Sequence, residues 1–125
     1  MLFFHVLDDF HLQGLLINMK QKAWWQEQTT DQMYKNDYIV ALLIHAFSWT
    51  FMIHIPAWMY SLHFHTGFSS GWVYVIVFLA MLLIHAFVDN LKANKHKINL
   101  IQDQLSHVVQ IAYVAILYSL PQKGA

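Results

Sequence analysis

The chain contains no cysteine and no arginine, and charged side chains make up only 11% of its 125 residues. Without cysteine, disulfides and thiolate metal sites are both excluded. Without arginine, the seven positive charges are all lysines. The charged share is less than half of the quarter or so typical of a soluble domain, and the formal net charge is zero. That balance argues against a nucleic-acid partner, which would require a basic face. What the chain does have is apolar: 58% of its residues are hydrophobic. An integral membrane protein follows, with the lipid bilayer as its first partner and a homo-oligomer or larger membrane assembly left open.

About 20 residues of helix cross the hydrocarbon core of a bilayer. Four stretches meet that length, at about residues 1–19, 38–62, 71–91 and 101–120. They predict an all-α fold, a four-helix transmembrane bundle with antiparallel up-down order, forming one domain over residues 1–125. The first stretch is the weakest, because Asp8, Asp9, His11 and Gln13 interrupt it, and a surface amphipathic helix is the alternative. It lacks the basic start of a cleaved signal peptide, and its aspartates fall where the apolar core of such a signal belongs. Residues 20–37 are polar, carry the Trp24-Trp25 pair and suit a short interfacial segment. Pro56 predicts a kink or the end of the regular part of the second span. Gly67 and Gly71 frame a tight turn, and Pro121 closes the fourth helix.

Orientation follows from the lysines. Lys20, Lys22 and Lys35 lie after the first stretch and Lys92, Lys95 and Lys97 after the third, whereas the turn from His63 to Ser70 has none. Both lysine-bearing loops are therefore placed on the cytoplasmic side and both termini on the other, with Lys123 the one charge at odds.

Three histidine/aspartate pairs are spaced four residues apart: His5 with Asp9, His85 with Asp89, and Asp103 with His107. That spacing puts both members on one helix face, with Cβ atoms about 5–6 Å apart. An ionisable residue within a span costs roughly 2.5–3.5 kcal/mol, so a repeated pattern of them reads as a functional site. At a rise of about 1.5 Å per residue, the pairs and His45 converge in the cytoplasmic half of the bundle. His45 itself lies in Leu-Leu-Ile-His-Ala-Phe at 42–47, a hexapeptide repeated unchanged at 82–87 around His85.

Imidazole and carboxylate are ordinary ligands for zinc, manganese or iron. His5, Asp9, His85, Asp89, Asp103 and His107 are the candidate metal ligands, with His45, Gln13 and Gln104 as further ligands or groups that orient them. Six such residues exceed one tetrahedral zinc, so two metals, or some carboxylates orienting histidines, are both open. Other readings stand beside this one. Asp103 has a second role open to it as the cap of the fourth helix, whereas Asp89 lies where the helix dipole disfavours an acid. His5 with Asp9 also suits interhelical packing. His11, His54, His63, His65 and His96 read as interfacial or loop residues, and Asp8 points away from Asp9 toward another helix or water. Haem held by His45 and His85 ranks last, since it explains none of the aspartates.

His5-x-x-x-Asp9-Phe10-x-Leu12-Gln13, the Leu42 to Phe47 stretch, His85-x-x-x-Asp89 with Lys92, and Asp103-Gln104-x-x-His107 resemble the domain of unknown function 3307 family. That family groups small bacterial and phage membrane proteins, and the likeness covers nearly the whole chain. It implies a compact four-helix protein of a bacterial inner membrane or a phage, and no established activity. More loosely, the blocks look like those of membrane-bound metal-dependent hydrolases. Two functions are therefore expected to compete. One is a membrane-embedded metal site with hydrolytic or lipid-modifying chemistry at the cytoplasmic side. The other is a non-catalytic envelope component or proton or small-solute relay, stabilised by its His/Asp network.

Overall fold

The computed structural model describes residues 1–121, and Lys123 lies outside them. The described residues form helices and turns, with a lone bridge between Thr66 and Pro121 in place of any strand. A broken N-terminal segment comes first: α1 (Leu2–Leu7), a π turn (Asp8–Leu12) and α2 (Leu16–Met19). Next come α3 (Lys22–Gln28), a 3-10 turn (Gln32–Tyr34), and the long helices α4 (Asp37–Phe64), α5 (Gly71–Ala93) and α6 (Leu100–Ser119).

Three helices are long and apolar enough to cross a membrane, those containing α4, α5 and α6. Their burial pattern is the reverse of a soluble domain. Leu79, Leu83, Ile84 and Phe87 of α5 and Leu105, Val109 and Ile116 of α6 are exposed, while histidines, aspartates, Thr50 and Gln110 are buried. A lipid environment makes sense of this, because apolar side chains need no shelter there and polar ones do.

α4 is the helix on which the others assemble, touching α1, the π turn, α2, α5 and α6. Its buried face runs through Leu42, His45, Trp49, Ile53 and Ala57. The apolar part of the core joins Trp49, Ile53 and Ala57 to Met81 of α5 and to Ile111, Val114 and Tyr118 of α6. Pro56 does not end α4, which continues to Phe64. Proline removes only the one hydrogen bond its own nitrogen would donate, and α4 shares the apolar core with α5 and α6 through Trp49 and Ile53 before it and Ala57 after it.

Residues 1–19 depart from the single rod expected of them. Gly14 takes a φ of +50°, a left-handed conformation that glycine adopts at little cost, and the chain bends there. The π turn before it widens the helix. Asp8 and Asp9 are both buried as a result.

Each end of the molecule is tied by polar contacts. At one end, Asn94 joins the two lysine-bearing loops: its Nδ2 donates to the Lys20 carbonyl (3.0 Å), and its Oδ1 accepts from the Lys22 backbone N–H (2.6 Å). α3 lies beside this junction, with Trp24 edge-on to Trp25 and Trp25 stacked on Tyr34. At the other end, Gly67 N–H donates to Leu120 O (2.7 Å) and Thr66 Oγ1 to Tyr118 O (2.7 Å). There the Tyr74 hydroxyl meets Ser61 Oγ at 3.0 Å and accepts from Phe68 N–H at 3.1 Å.

Candidate metal centre

Five elements contribute to one buried polar cluster. α1 brings His5, the π turn Asp8 and Asp9, α4 His45, α5 His85 and Asp89, and α6 Asp103 and His107, all within the interior. The i, i+4 spacing brings all three pairs together, His5 Nδ1 lying 3.7 Å from Asp9 Oδ2. His85 Nε2 lies 3.9 Å from Asp89 Oδ1, and His107 Nε2 lies 3.4 Å from Asp103 Oδ1.

Asp89 is the hub. Its Oδ2 is 3.2 Å from His45 Nε2, and its Oδ1 is 3.5 Å from His107 Nε2. His45 Nε2 also faces His85 Nε2 at 3.3 Å and Asp9 Oδ1 at 3.4 Å. Three imidazole Nε2 atoms thus converge on carboxylate oxygens from three other positions. Four groups of three residues bring their donor atoms within 4.8 Å of one another: Asp9 with His85 and His107; His45 with His85 and Asp89; Asp8 with Asp9 and His45; and Asp89 with Asp103 and His107. These buried groups could hold a metal ion.

The spacing itself fits that role. Two ligands about 2.1 Å from one ion at a tetrahedral angle lie about 3.4 Å apart. A direct N–H···O hydrogen bond is typically about 2.7–3.2 Å. Of the separations around Asp89 and His45, those at 3.3, 3.4 and 3.5 Å lie near the ligand edge, while the 3.2 Å from His45 Nε2 to Asp89 Oδ2 also suits a hydrogen bond. His107 Nε2 and Asp103 Oδ1 are both buried and make no hydrogen bond to protein.

His5 is placed differently from the other histidines. Trp49 Nε1 donates to its Nδ1 (2.8 Å), which makes Nδ1 the acceptor and leaves the proton on Nε2, 3.1 Å from Gln104 Oε1. Gln104 Nε2 in turn donates to Asp9 Oδ2 (3.0 Å) and Asp103 Oδ2 (3.3 Å). With both ring nitrogens engaged, His5 orients carboxylates through Gln104. Gln13 Nε2 donates to the Asp9 main-chain carbonyl at 2.5 Å and reaches the Asp9 carboxylate Oδ1 at 3.4 Å. His45 is set the other way: its Nδ1 faces Asp8 Oδ2 at 3.7 Å, and its Nε2 points toward Asp89, His85 and Asp9. Asp8 is held by Ser48 Oγ, which donates to its Oδ1.

Two lysines complete the charge arrangement. Lys20 Nζ bonds Asp89 Oδ2 at 2.7 Å, and Lys92 Nζ bonds Asp103 Oδ2 at 2.6 Å. Asp103 is therefore not the cap of α6. Asn99 is: its side chain accepts from Gln102 N–H at 2.9 Å, and Gln102 Oε1 accepts from Asn99 N–H at 3.0 Å. Four buried carboxylates, of Asp8, Asp9, Asp89 and Asp103, face two ammonium groups, leaving two negative charges if every imidazole is neutral.

His54 corrects its interfacial assignment. It is fully buried, hydrogen-bonded from Nδ1 to Thr50 O at 2.7 Å, and packed against Trp58, Phe78 and Tyr118. His11, His63, His65 and His96 are exposed. The 3.3 Å between His45 and His85 leaves no room for a porphyrin plane between their rings. Trp49 was not among the sequence candidates, yet it stacks on His85 with ring centroids 4.1 Å apart. No family model matches the chain, and the comparisons with curated proteins and with solved structures found no match.

Proposed function

We propose that the chain is a membrane-embedded metal-binding protein whose buried centre supports hydrolytic or lipid-modifying chemistry at the cytoplasmic side. The observation that carries this reading is the set of donor separations near 3.4 Å among His45, His85, His107, Asp9 and Asp89. One divalent cation would cancel the two uncompensated charges. Packing alone is a weaker reason for the cluster. An interhelical hydrogen bond in a bilayer contributes about 0.6 kcal/mol on average, against roughly 2.5–3.5 kcal/mol to insert an aspartate.

In this reading the ligands are drawn from His45, His85, His107, Asp9, Asp89 and Asp103, whose donor atoms fall into overlapping groups of three, and His5, Asp8, Gln13 and Gln104 fix their orientation. A bound divalent ion would supply a water ionised near neutral pH, suited to attack on an ester or phosphoester. Trp49 and the apolar core beyond it close the centre on the side away from the lysines. The N-terminal segment packs as the fourth member of an antiparallel up-down arrangement, with the lysine loops cytoplasmic in a bacterial inner membrane or a phage-derived one. Membership of the domain of unknown function 3307 family belongs to the same proposal, and so does assembly into a homo-oligomer.

A second reading is favoured by the ion pairs Lys20–Asp89 and Lys92–Asp103, which join elements distant in sequence. In it the network is a non-catalytic brace or proton relay, with two imidazoles protonated in place of the cation. Elemental analysis of detergent-purified protein separates the two. The metal reading expects stoichiometric zinc, manganese or iron, lost on His85→Ala or Asp89→Ala. Metal-free wild-type protein that remains folded after incubation with each of these ions would leave the brace or relay.

A further inference from the structure

Between the polar centre and the lysine end lies a cleft of about 360 Å³, bordered by the π turn, α2 and the adjoining ends of α5 and α6. Asp9, Asp89 and Asp103 of the centre open onto it. So do both lysines that pair with them.

We propose that this cleft binds the anionic phosphate headgroup of a membrane lipid. The inference rests on the metal reading, because three carboxylates would repel a phosphate unless a cation stands between them. Lys92 is the group best placed to receive the anion. An ammonium has three donors, and Lys92 gives one of them to Asp103, while over a third of its side chain remains exposed. Gln13 Oε1, buried without a partner on the cleft wall, is available to accept a hydrogen bond from a headgroup hydroxyl.

The rim points to a lipid. Phe10, Ile17 and Leu100 border the cleft and are about half exposed, offering an apolar edge to acyl chains that stay in the bilayer. Trp24 and Trp25 on neighbouring α3 are the residue type that settles at headgroup level. The volume lies near the lower end of ligand pockets, about 300–1,000 Å³, enough for a headgroup without its chains.

The test titrates detergent-purified, manganese-loaded protein with dihexanoyl phosphatidic acid, dihexanoylglycerol, glycerol 3-phosphate and inorganic phosphate. Phosphatidic acid should bind at least about tenfold more tightly than the other three, and chelation should abolish the difference. Lys92→Gln, which keeps a hydrogen-bond donor for Asp103 but removes the charge, should weaken phosphatidic acid binding about tenfold at unchanged manganese stoichiometry. Lys92→Arg should restore it. Equal binding of dihexanoylglycerol, or no effect of Lys92→Gln, overturns the headgroup site while the metal reading stands. Inorganic phosphate bound as tightly as phosphatidic acid overturns the lipid assignment. Failure of manganese, zinc and iron alike to bind removes both proposals.

Discussion

His45 and His85 meet Nε2 to Nε2 at 3.3 Å, each presented by the same hexapeptide, Leu-Leu-Ile-His-Ala-Phe, on α4 and α5. Ala46, after the first histidine, is completely buried, whereas Ala86, after the second, is half-buried. The leucine and phenylalanine positions face outward in both copies at Leu43, Phe47, Leu83 and Phe87. One hexapeptide thus gives two helices the same division, with lipid-facing apolar residues flanking an inward imidazole.

His45 and His5 should separate in their effect on metal binding. His45 Nε2 lies among the donor atoms, whereas both nitrogens of His5 are occupied by Trp49 and Gln104. His45→Ala is expected to abolish stoichiometric metal. His5→Ala should retain the metal at about 10–100-fold lower affinity, the usual loss when an orienting partner of a ligand is removed. Elemental analysis with a competitive chelator titration measures both, and equal loss in the two variants would contradict this division.

The part of the site that sequence revealed is the part that helix periodicity encodes. His85 with Asp89 and Asp103 with His107 sit on one face because α5 and α6 are regular there. His45 ranked lower in sequence because it has no carboxylate four residues away. Its partners Asp8, Asp9 and Asp89 arrive from other elements. Asp8 was hidden by the π turn, since an α-helical projection separates it from Asp9 by about 100°. The lysines were legible as topology signals only. Their pairing with Asp89 and Asp103 depends on how the loops fold back at Asn94, which no local spacing records. Three long helices were readable from hydropathy, but the break at Gly14 depends on carboxylates turning inward toward partners far along the chain.

Lys20→Met should destabilise the metal-free protein more than the metal-loaded one. Lys20 is nearly buried and supplies the ammonium at 2.7 Å from Asp89 Oδ2. Removing one partner of a buried pair typically costs about 3–5 kcal/mol, because the other charge is left uncompensated. A bound cation would compensate Asp89 from its other side and reduce that loss. Thermal unfolding in detergent with and without manganese measures the difference. The same destabilisation in both conditions would show that the lysine and the cation do not serve the same carboxylate.

Two glycines with positive φ should respond unequally to alanine. At Gly67, φ +88°, an added Cβ would lie 2.7 Å from both Ser61 Oγ and Tyr74 Oη, the groups that close the turn between α4 and α5. At Gly14, φ +50°, nothing lies within 4 Å. Gly14→Ala should cost about 1–2 kcal/mol for the left-handed backbone alone. Gly67→Ala should add about 1–3 kcal/mol of overpacking to a similar backbone term. Denaturation of the purified variants decides this, and equal stability would mean that the hydroxyls move aside freely.

The absence of cysteine gives a clean test of orientation, since each introduced thiol is the only one in the chain. Lys35 and Lys95 are exposed in the two lysine-bearing loops, and Ser70 is exposed in the turn at the other end of α5. α5 has 23 residues, enough at about 1.5 Å per residue to place its ends on opposite sides of a hydrocarbon core. Lysine-rich loops stay cytoplasmic, so Lys35→Cys and Lys95→Cys should resist a membrane-impermeant maleimide in intact cells and react after lysis. Ser70→Cys should react from outside. Labelling of the lysine-loop thiols in intact cells would invert the orientation. The metal centre and its cleft would then open to the opposite compartment, and any lipid reaching them would come from the outer leaflet.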